Sequence, residues 1–483
     1  MKNSRSLLLS VLAVLFFFAL VNLGMDLQAQ FMARDPGPRG GKVGAGQPVS
    51  GLTANQMGFF QNGLQRFLEV DSVGGTISGE PGNGLGPTFN DNQCASCHSQ
   101  PATGGSSPSR TAFPFIGPNP QVAVANLDGA SNTVPFFISE DGPVREARFK
   151  YFLGPTGIPG GPRDGGVHDL FTIQGRVDAT NVVGTSGQLQ TCGLAQPNFE
   201  QMGQLNNLRY RIPTPLFGAG LIENIAESTI DANIASDSAL KRALGIGGHP
   251  NRNPNDGTIS RFGWKAQNKS LQLFSGEAYS VEIGVSNEIF PSERGYAPVQ
   301  PPADCLFNPT PEDGTNMQDT GDYPAVPSDV VQFANYMRYL DQPTPACEAS
   351  SCSASIQNGR NLFSTVGCAL CHTPTMKTTA AYYGKPLSNA SANLYSDLLV
   401  HHMGSGLADD IVQGNAGPDE FRTAPLWGVG QRVFFLHDGR TQDLVVAIHQ
   451  HAGSGSEANG VVTRFNRLSE SEKQDILNFL RSL

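Results

Sequence analysis

Two short segments of this chain share one cysteine–histidine pattern, which constrains the fold more than any other feature of the sequence. "CASCH" begins at residue 94 and "CALCH" at residue 368, so each is C-x-x-C-H. This is the spacing of c-type haem attachment, in which two thiols bond to the haem vinyl groups and the adjacent histidine ligates the iron. We therefore expect a fold built around two haems. The predicted attachment residues are Cys94, Cys97, Cys368 and Cys371, and the predicted iron ligands are His98 and His372.

Three other uses of a C-x-x-C pair explain these segments less well. A thioredoxin-like redox pair requires no following histidine and is expected within a βαβ unit. A zinc site uses C-x-x-C pairs but has no need for an adjacent histidine in both copies. Two plain disulfides are compatible with the spacing alone.

The segments that precede the two motifs are also similar. Gly63-x-x-x-Phe67 stands ahead of the first motif, and Gly359-x-x-x-Phe363 stands ahead of the second. Apolar residues around the first pair fall on one helical face, and cytochrome c domains begin with such a helix. The chain ends on "SESEKQDILNFLRSL", where a capping box and an apolar stripe predict another helix. We expect these helices to enclose the haems.

Composition favours helices separated by long irregular segments. The 483 residues include 56 glycines and 34 prolines, well above average usage. Apolar residues make up 39% of the chain, which is enough for a core. The predicted fold is mainly α, with two cytochrome c-like haem domains and long irregular Gly/Pro-rich insertions. We expect a flexible linker over 30–50, an N-terminal haem domain with a long insertion over 51–345, and a C-terminal haem domain over 353–483.

The N-terminus has the pattern of an export signal over residues 1–29. Lys2 and Arg5 precede the apolar run "LLLSVLAVLFFFALVNL", and Ala29 offers a small residue for cleavage. The run is near the lower length limit of a membrane span, so an uncleaved anchor is the alternative. The protein is therefore predicted to be periplasmic or otherwise exported, and to contact the membrane only if the signal is retained.

The other four cysteines are expected to form disulfides, because exported proteins fold in an oxidising compartment. Cys347 and Cys352, in "CEASSC", make an easy local pair, which leaves Cys192 with Cys305. Spacing alone does not prove this connectivity. The formal net charge of -10 gives no sign of the basic patch that nucleic-acid binding requires.

Longer segments around both motifs resemble one family. They include "GLGPTFNDNQCASCHSQPATGGSSP", "RIPTPLFGAGLIENI", "GRNLFSTVGCALCHTP" and "EFRTAPLWGVGQRVFFLHDGRTQDLVVAIHQHAG". The chain resembles the bacterial di-haem oxidoreductases, also described as thiol oxidoreductase-like, over roughly residues 51–483. These are distant relatives of the di-haem cytochrome c peroxidases. The resemblance implies two haems and defines the reaction less well. Calcium, which the peroxidase relatives hold between domains, has no clear loop motif here.

A histidine near the C-terminus is predicted to be the second axial ligand of the C-terminal haem. In "TQDLVVAIHQH", His451 shares the apolar face of a predicted helix with Leu444 and Ala447, while His449 lies on the opposite side. In the peroxidase relatives, the distal ligand follows the "HDG" histidine by fourteen residues, and from His437 this count leads to His451. The alternative is a histidine that merely packs in the core.

The distal side of the first haem is less well defined by the sequence. His168, in "DGGVHDLF", is the favoured ligand because the peroxidases use loop residues there. A surface-loop histidine is an equally good interpretation. Other candidates are His401, His402, Met403 and Met202.

Several further side chains are candidates for supporting roles. Trp264 could pass electrons between the haems, as a tryptophan does in related enzymes, or it could simply pack in the core. His437 and Arg440, in "HDGR", could order a turn or bind a haem propionate. Glu282 and Glu288 are alternative acid–base groups for peroxide cleavage.

Two functions follow from these expectations. The first is an exported di-haem oxidoreductase with peroxidase-like chemistry at the N-terminal haem, supplied with electrons by the C-terminal haem. Its partners would be a redox protein or a small oxidant such as hydrogen peroxide. The second is a non-catalytic periplasmic electron carrier in which both irons are six-coordinate.

Overall fold

The computed structural model describes residues 32–80, 82–110, 117–154, 156–184, 187, 192–295, 301–314, 327–348 and 350–483; the predicted export signal lies outside these ranges. Helices dominate the regular structure of the described chain, as the sequence predicts, although most of them are short. The α-helices are α1 (Ala54–Leu68), α2 (Cys94–Cys97), α3 (Pro120–Val124), α4 (Phe199–Gln204), α5 (Ala219–Glu223), α6 (Glu227–Ala235), α7 (Ser238–Leu244), α8 (Leu271–Ala278), α9 (Asp329–Tyr339), α10 (Ala354–Val366), α11 (Leu444–Gln450), α12 (Asn459–Asn466) and α13 (Glu470–Ser482).

The helix ahead of the first motif, α1, packs closely against α9. Gly63 lies at the crossing, where a Cβ atom would collide with the backbone carbonyl oxygen of Gln332. Glycine is therefore required for this approach of the two helices. Phe67, one turn further along α1, lies with its ring centroid 5.9 Å from that of His98.

The helix ahead of the second motif, α10, packs against α13 in the same way. A Cβ atom at Gly359 would collide with the backbone carbonyl oxygen of Asp475. Phe363, one turn later, has its ring centroid 6.3 Å from that of His372. The internal repeat in the sequence thus corresponds to a repeated helix crossing that brings a phenylalanine to each motif histidine.

The strands are short and form small antiparallel sheets. The strands are β1 (Thr88–Phe89), β2 (Glu146–Phe149), β3 (Tyr151–Leu153), β4 (Pro159–Arg163), β5 (Val167–His168), β6 (Phe171–Thr172), β7 (Leu208–Arg211), β8 (Met376–Lys377), β9 (Ser391–Ala392), β10 (Val400–His402) and β11 (Glu420–Arg422). In the three-stranded sheet, β2 lies between β5 and β7, and the other sheets among the described residues have two strands each. The β10–β11 pair places His402 directly opposite Glu420.

Buried apolar residues form one large cluster around α1 and α9 and a smaller one around α10, α11 and α13. The large cluster also contains Met376, Leu387 and Leu398, which follow residue 353 in the chain. Buried contacts therefore cross the domain boundary suggested by the sequence. The cysteine spacing does not predict these contacts across the boundary, because the three residues follow the second motif and lie between it and β10.

Both predicted disulfides are present. Cys192 bonds to Cys305 across 113 residues of sequence, and Cys347 bonds to Cys352 within a short loop. The four motif cysteines carry free thiols instead. The eight cysteines thus divide into the two groups that the sequence suggests.

Residues 32–50 make specific contacts, although their composition predicts a flexible linker. Asp35 and Arg481 form a buried ion pair of 2.6 Å. The backbone N–H of Val49 donates to the carbonyl oxygen of Tyr339 at 2.8 Å. The segment is therefore fixed along helices of both clusters by side-chain and backbone contacts that Gly/Pro content does not reveal. Within the described ranges, no helix combines the length and the apolar character needed to cross a bilayer.

Candidate functional sites

A cavity of about 150 Å³ adjoins the first C-x-x-C-H segment. Cys94, Cys97 and His98 lie in its wall, together with Phe67 of α1. We refer to it as the first cavity.

The His98 side chain is half-buried, and a hydrogen bond orients its ring. Its Nδ1 lies 3.0 Å from the carbonyl oxygen of Gly105, an acceptor that keeps the ring proton on Nδ1. Burial lowers the pKa of His98 to about 4, so the ring is neutral near neutral pH. A neutral imidazole with Nδ1 engaged in this way can ligate a metal through Nε2.

Acidic residues and arginines also face the first cavity; they are Asp91, Glu146, Glu277, Glu282, Arg148 and Arg211. Glu146 and Arg148, on β2, form an ion pair of 2.5 Å, and Glu282 accepts a hydrogen bond of 2.8 Å from the Asn90 amide. Burial raises the pKa of Glu282 well above its usual value, and the charge of Glu146 raises it further. Burial opposes ionisation of Glu146 as well, but Arg148 outweighs it and lowers the pKa of Glu146. The surroundings therefore favour the ionised form of Glu146 and the protonated form of Glu282.

A widened helical turn brings part of this wall into place. The chain continues from α8 as a π-helix over Tyr279–Ile283. Tyr279 and Glu282, both within this turn, line the first cavity. Such turns are rare and are frequently found at functional sites. Hydrophobic periodicity does not predict this turn, because it differs from an α-helix by a single hydrogen-bond step.

A cavity of about 230 Å³ adjoins the second C-x-x-C-H segment. Cys368, Cys371 and His372 lie in its wall, and α10, α11 and α13 contribute mostly apolar side chains. His451, which follows α11, faces the same space. We refer to it as the second cavity.

The rings of His372 and His451 approach each other across the second cavity, with centroids 6.5 Å apart. The Nδ1 of His372 lies 3.0 Å from the carbonyl oxygen of Tyr395, and that of His451 lies 2.7 Å from the carbonyl oxygen of Ala447. Burial lowers the pKa of both rings, to about 4 for His372. Each ring is therefore neutral and has its Nδ1 engaged, as His98 does.

The histidine content of the two walls differs. Among the described residues, His98 is the sole histidine in the wall of the first cavity. The second wall contains His401 and His437 in addition to the facing pair. The first cavity therefore offers one imidazole to a metal, whereas the second offers two on opposite sides of one space.

Comparison with known proteins identifies the family. A sequence profile of the family described as "Di-haem oxidoreductase, putative peroxidase" matches residues 183–483, more than half of the chain. The chain belongs to the di-haem oxidoreductase family. Family membership makes haem the cofactor of this di-haem oxidoreductase.

Two solved structures match part of this di-haem oxidoreductase. One is the hydrazine synthase of Kuenenia stuttgartiensis, with 18% identity over 32% of this chain and 55% of that chain and a TM-score of 0.22. The other is a MauG-like protein associated with microbial copper homeostasis, with 18% identity over 32% of this chain and 52% of that chain and a TM-score of 0.23. The chain thus spans about half the length of the solved structures it matches. No curated protein matches it.

The second cavity of the di-haem oxidoreductase contains a buried arginine, Arg422, and a half-buried one, Arg432, that fit an anionic cofactor. No carboxylate among the described residues pairs with Arg422 or Arg432, and the Nε and Nη2 atoms of Arg432 have no hydrogen-bond partner there. Burial lowers the pKa of each guanidinium to about 10. A buried unpaired guanidinium is unfavourable unless an anion joins it, and haem propionates supply such anions.

Trp264 lies in the walls of both cavities. Its indole N–H donates to the carbonyl oxygen of Ile212 at 2.8 Å, and the ring is buried. Trp264 is the one residue that the described walls of the two cavities have in common.

The structure places two predicted residues away from the cavity walls. His168 stacks on Phe149 with ring centroids 3.8 Å apart, and its Nε2 lies 2.7 Å from a carboxylate oxygen of Asp164. Arg440 forms an ion pair of 2.7 Å with Asp438. Both side chains are satisfied by an acidic residue close in sequence, which weighs against ligation by His168 and propionate binding by Arg440.

Some of the other candidates from the sequence face the second cavity, and the rest face neither cavity. His401 and Met403 face the second cavity rather than the first, whereas His402 and Met202 lie in neither wall. His437 faces the second cavity and stacks on Phe421. Glu288 accepts a hydrogen bond from Ser328 outside the first cavity.

A charged histidine lies beside the second attachment segment. His401 places Nε2 3.0 Å from Asp397 and Nδ1 2.7 Å from Glu457. Burial lowers the pKa of His401, but Asp397 in particular outweighs burial and raises it well above its usual value. The ring is therefore an imidazolium beside Cys371, from which its Nδ1 is 3.8 Å away.

Proposed function

We propose that this di-haem oxidoreductase is an exported c-type enzyme that reduces peroxide at the first cavity with electrons supplied through the second. The observation that carries the proposal is that different kinds of residue line the two cavities. Two facing histidines lie in the second wall, whereas the first wall has a single described histidine and a set of acidic and basic groups that includes Glu282, Glu146 and Arg148.

Covalent attachment through the four motif cysteines is part of the proposal. It is supported by the free thiols at these positions, since the remaining four cysteines form disulfides. Each thiol pair also lies in the wall of a cavity beside its own histidine. This arrangement is the one that C-x-x-C-H attachment requires.

In the second cavity, His372 and His451 would be the two axial ligands. Two rings bonded through Nε2 to one metal, with bonds of about 2 Å, have centroids about 6 Å apart, close to the observed 6.5 Å. Arg422 and Arg432 would receive the propionates. Two imidazole ligands leave no position for peroxide, so electron storage and transfer is the role that this cavity supports.

In the first cavity, His98 would hold the haem iron. The bound haem would supply the iron that accepts and reduces peroxide. Glu282, whose pKa is raised well above its usual value, would donate a proton to a departing oxygen, while Glu146 and Arg148 fix its position by hydrogen bonding and charge. We propose Trp264, in both walls, as the path for electrons between the two sites.

Each half of the chain would then form one haem domain, over about 51–345 and 353–483, with a cytochrome c-like helix pair at each haem. Export is supported by the N-terminal pattern and by the two disulfides, which are typical of oxidising compartments. The expected redox partner is a protein electron donor, with the membrane relevant only if the signal is retained. Mass spectrometry of the secreted chain should give an N-terminus near residue 30.

Optical titration of the holoprotein with hydrogen peroxide tests the proposed reaction. We expect one haem per chain to respond to equimolar peroxide within the mixing time, and the prereduced protein to be reoxidised by it. If neither haem responds to peroxide, the protein is an electron carrier rather than a peroxidase-like enzyme.

A further inference from the structure

A tyrosine in the wall of the first cavity is hydrogen-bonded to a carboxylate that lies behind that wall. Tyr279, the first residue of the π-helix, is buried and lines the cavity. Its phenolic O–H donates to Oδ2 of Asp329 at 3.4 Å. Asp329 is the first residue of α9 and lies outside the described wall. The hydrogen bond therefore leads from the cavity into the surrounding structure.

The carboxylate of Asp329 can accept a proton and release it to solvent. Its Oδ1 atom lies 3.3 Å from Nε of Arg66, and the two side chains are 23% and 41% exposed. The same oxygen accepts a hydrogen bond of 3.2 Å from the Gln332 amide. Burial raises the pKa of Asp329, which makes its carboxylate a stronger base, while the charge of Arg66 favours the ionised form. Oδ2 is thus a proton acceptor for the phenol.

Two other oxidisable rings lie near the first motif, and neither has a basic acceptor. Tyr336 contacts Phe67, with ring centroids 4.9 Å apart. It is fully buried, and its hydroxyl has no hydrogen-bond partner within the described chain. Trp264, in the wall, donates its indole N–H to a backbone carbonyl oxygen, which is not a base. Loss of an electron makes the proton of a phenol or an indole strongly acidic, so oxidation of a buried ring is favoured where a base takes that proton.

We propose that Tyr279 is a redox-active residue that gives one electron to the first site when hydrogen peroxide reacts there. The inference rests on the peroxide chemistry proposed above. The phenolic O–H bond breaks, the proton moves to Asp329, the electron passes to the first site, and a neutral tyrosyl radical remains. Hydrogen peroxide is the oxidant, and its O–O bond breaks as it takes up two electrons. The iron supplies the other electron, and Glu282 and solvent supply the two protons that form water.

This role gives the first site its second electron when none arrives from the second site. A single ferric iron supplies one electron, whereas peroxide takes up two. Tyr279 completes the reduction and holds the oxidising equivalent on its ring. An electron that arrives later through Trp264 reduces the radical, and Asp329 returns the proton.

Freeze-quench EPR of the ferric holoprotein after addition of hydrogen peroxide tests the proposal. The radical yield is expressed per haem that has reacted, which is measured by the optical change in the same sample. We expect an organic radical whose signal narrows when the protein is made with ring-deuterated tyrosine. Its yield should fall at least tenfold in Y279F. Y336F is the matched control and should give the yield of the wild type, because the hydroxyl of Tyr336 has no proton acceptor among the described residues.

A second pair of variants tests the proton acceptor. D329N keeps an oxygen that accepts the hydrogen bond but removes the base, so the radical yield should fall at least threefold. E69Q is the matched control, because Glu69 is another carboxylate paired with Arg66, and its yield should equal that of the wild type. If Y279F does not bind haem, the comparison of D329N with E69Q decides.

Three outcomes would overturn the inference while leaving the proposed function in place. They are a haem that reacts with peroxide without forming a radical sensitive to tyrosine deuteration, wild-type radical yield in Y279F, and equal yields in D329N and E69Q. A wild-type haem that does not react with peroxide would instead overturn the proposed function, and the inference with it.

Discussion

The two cavities are alike beside the attachment motif and different across the space from it. In both, a glycine lets two helices cross closely, and a motif histidine donates Nδ1–H to a backbone carbonyl oxygen. Across the space, the first cavity presents Glu282 with Glu146 and Arg148, whereas the second presents His451. On the proposal made above, the repeated half would hold a haem, and the half that differs would determine whether its iron can react with a small molecule.

Removing one attachment pair should have the largest effect. The double variant Cys368→Ser, Cys371→Ser is expected to lose covalent haem from the second cavity and so to contain one covalent haem per chain instead of two. Denaturing gel electrophoresis with haem staining, together with haem quantitation, measures this. Cys347→Ser, Cys352→Ser removes a disulfide instead and should keep both haems; equal haem content in the two double variants would contradict covalent attachment at the motif.

Removing one of the two facing histidine rings should make the second cavity resemble the first. His451→Ala is expected to change one low-spin haem completely to high-spin, because its iron loses an axial ligand. His449→Ala, two residues earlier in the chain and exposed, should leave the EPR spectrum unchanged. A spectrum of His451→Ala that matches the wild type would rule out ligation by this residue.

Replacing the proton-bearing carboxyl group should slow the chemistry of the first cavity. Glu282→Gln preserves shape and neutrality but removes the proton donor, so the rate of reaction with peroxide should fall by about 10²–10⁴-fold. Stopped-flow spectroscopy measures this rate. Glu288→Gln lies outside the cavity wall and should react as the wild type does; a larger loss in Glu288→Gln would reverse the assignment.

The smallest expected effect is a loss of stability on acidification, caused by protonation of His437. Burial lowers the pKa of His437 to about 4 in the folded protein, below the usual value near 6.5. The unfolded chain therefore takes up the proton first, and stability is lost as pH falls from about 6.5 to 4, by up to about 3 kcal/mol. His437→Gln should remove this share of the pH dependence of unfolding, whereas His449→Gln should retain it. Parallel curves for the wild type and His437→Gln would contradict a buried neutral ring.

Local patterns in the sequence predicted the elements that carry the repeated half of each cavity. The spacing of Gly63 from Phe67, and of Gly359 from Phe363, reflects one helical turn and so can be seen without tertiary structure. The face shared by Leu444, Ala447 and His451 is equally local. The two disulfides followed from counting cysteines in a chain predicted to be exported.

In the half that differs, the sequence predicted His451 and left Glu282 as one of two alternatives, but the groups around Glu282 could not be predicted, because tertiary contacts assemble them. Glu146 and Arg148 come from β2 and meet Glu282 from a π-helix more than 130 residues later in the chain. Arg422 and Arg432 lie within the segment that most resembles the family, yet their lack of a carboxylate partner appears only in three dimensions. Conversely, Arg440 is paired locally with Asp438.

The resting EPR spectrum of the ferric holoprotein tests the inequality of the two cavities most directly. We expect one high-spin haem, from the cavity with His98 alone, and one low-spin haem, from the cavity with His372 and His451, in equal amounts. Addition of peroxide should abolish the high-spin signal. Two low-spin signals that persist with peroxide would contradict the account and identify the protein as an electron carrier.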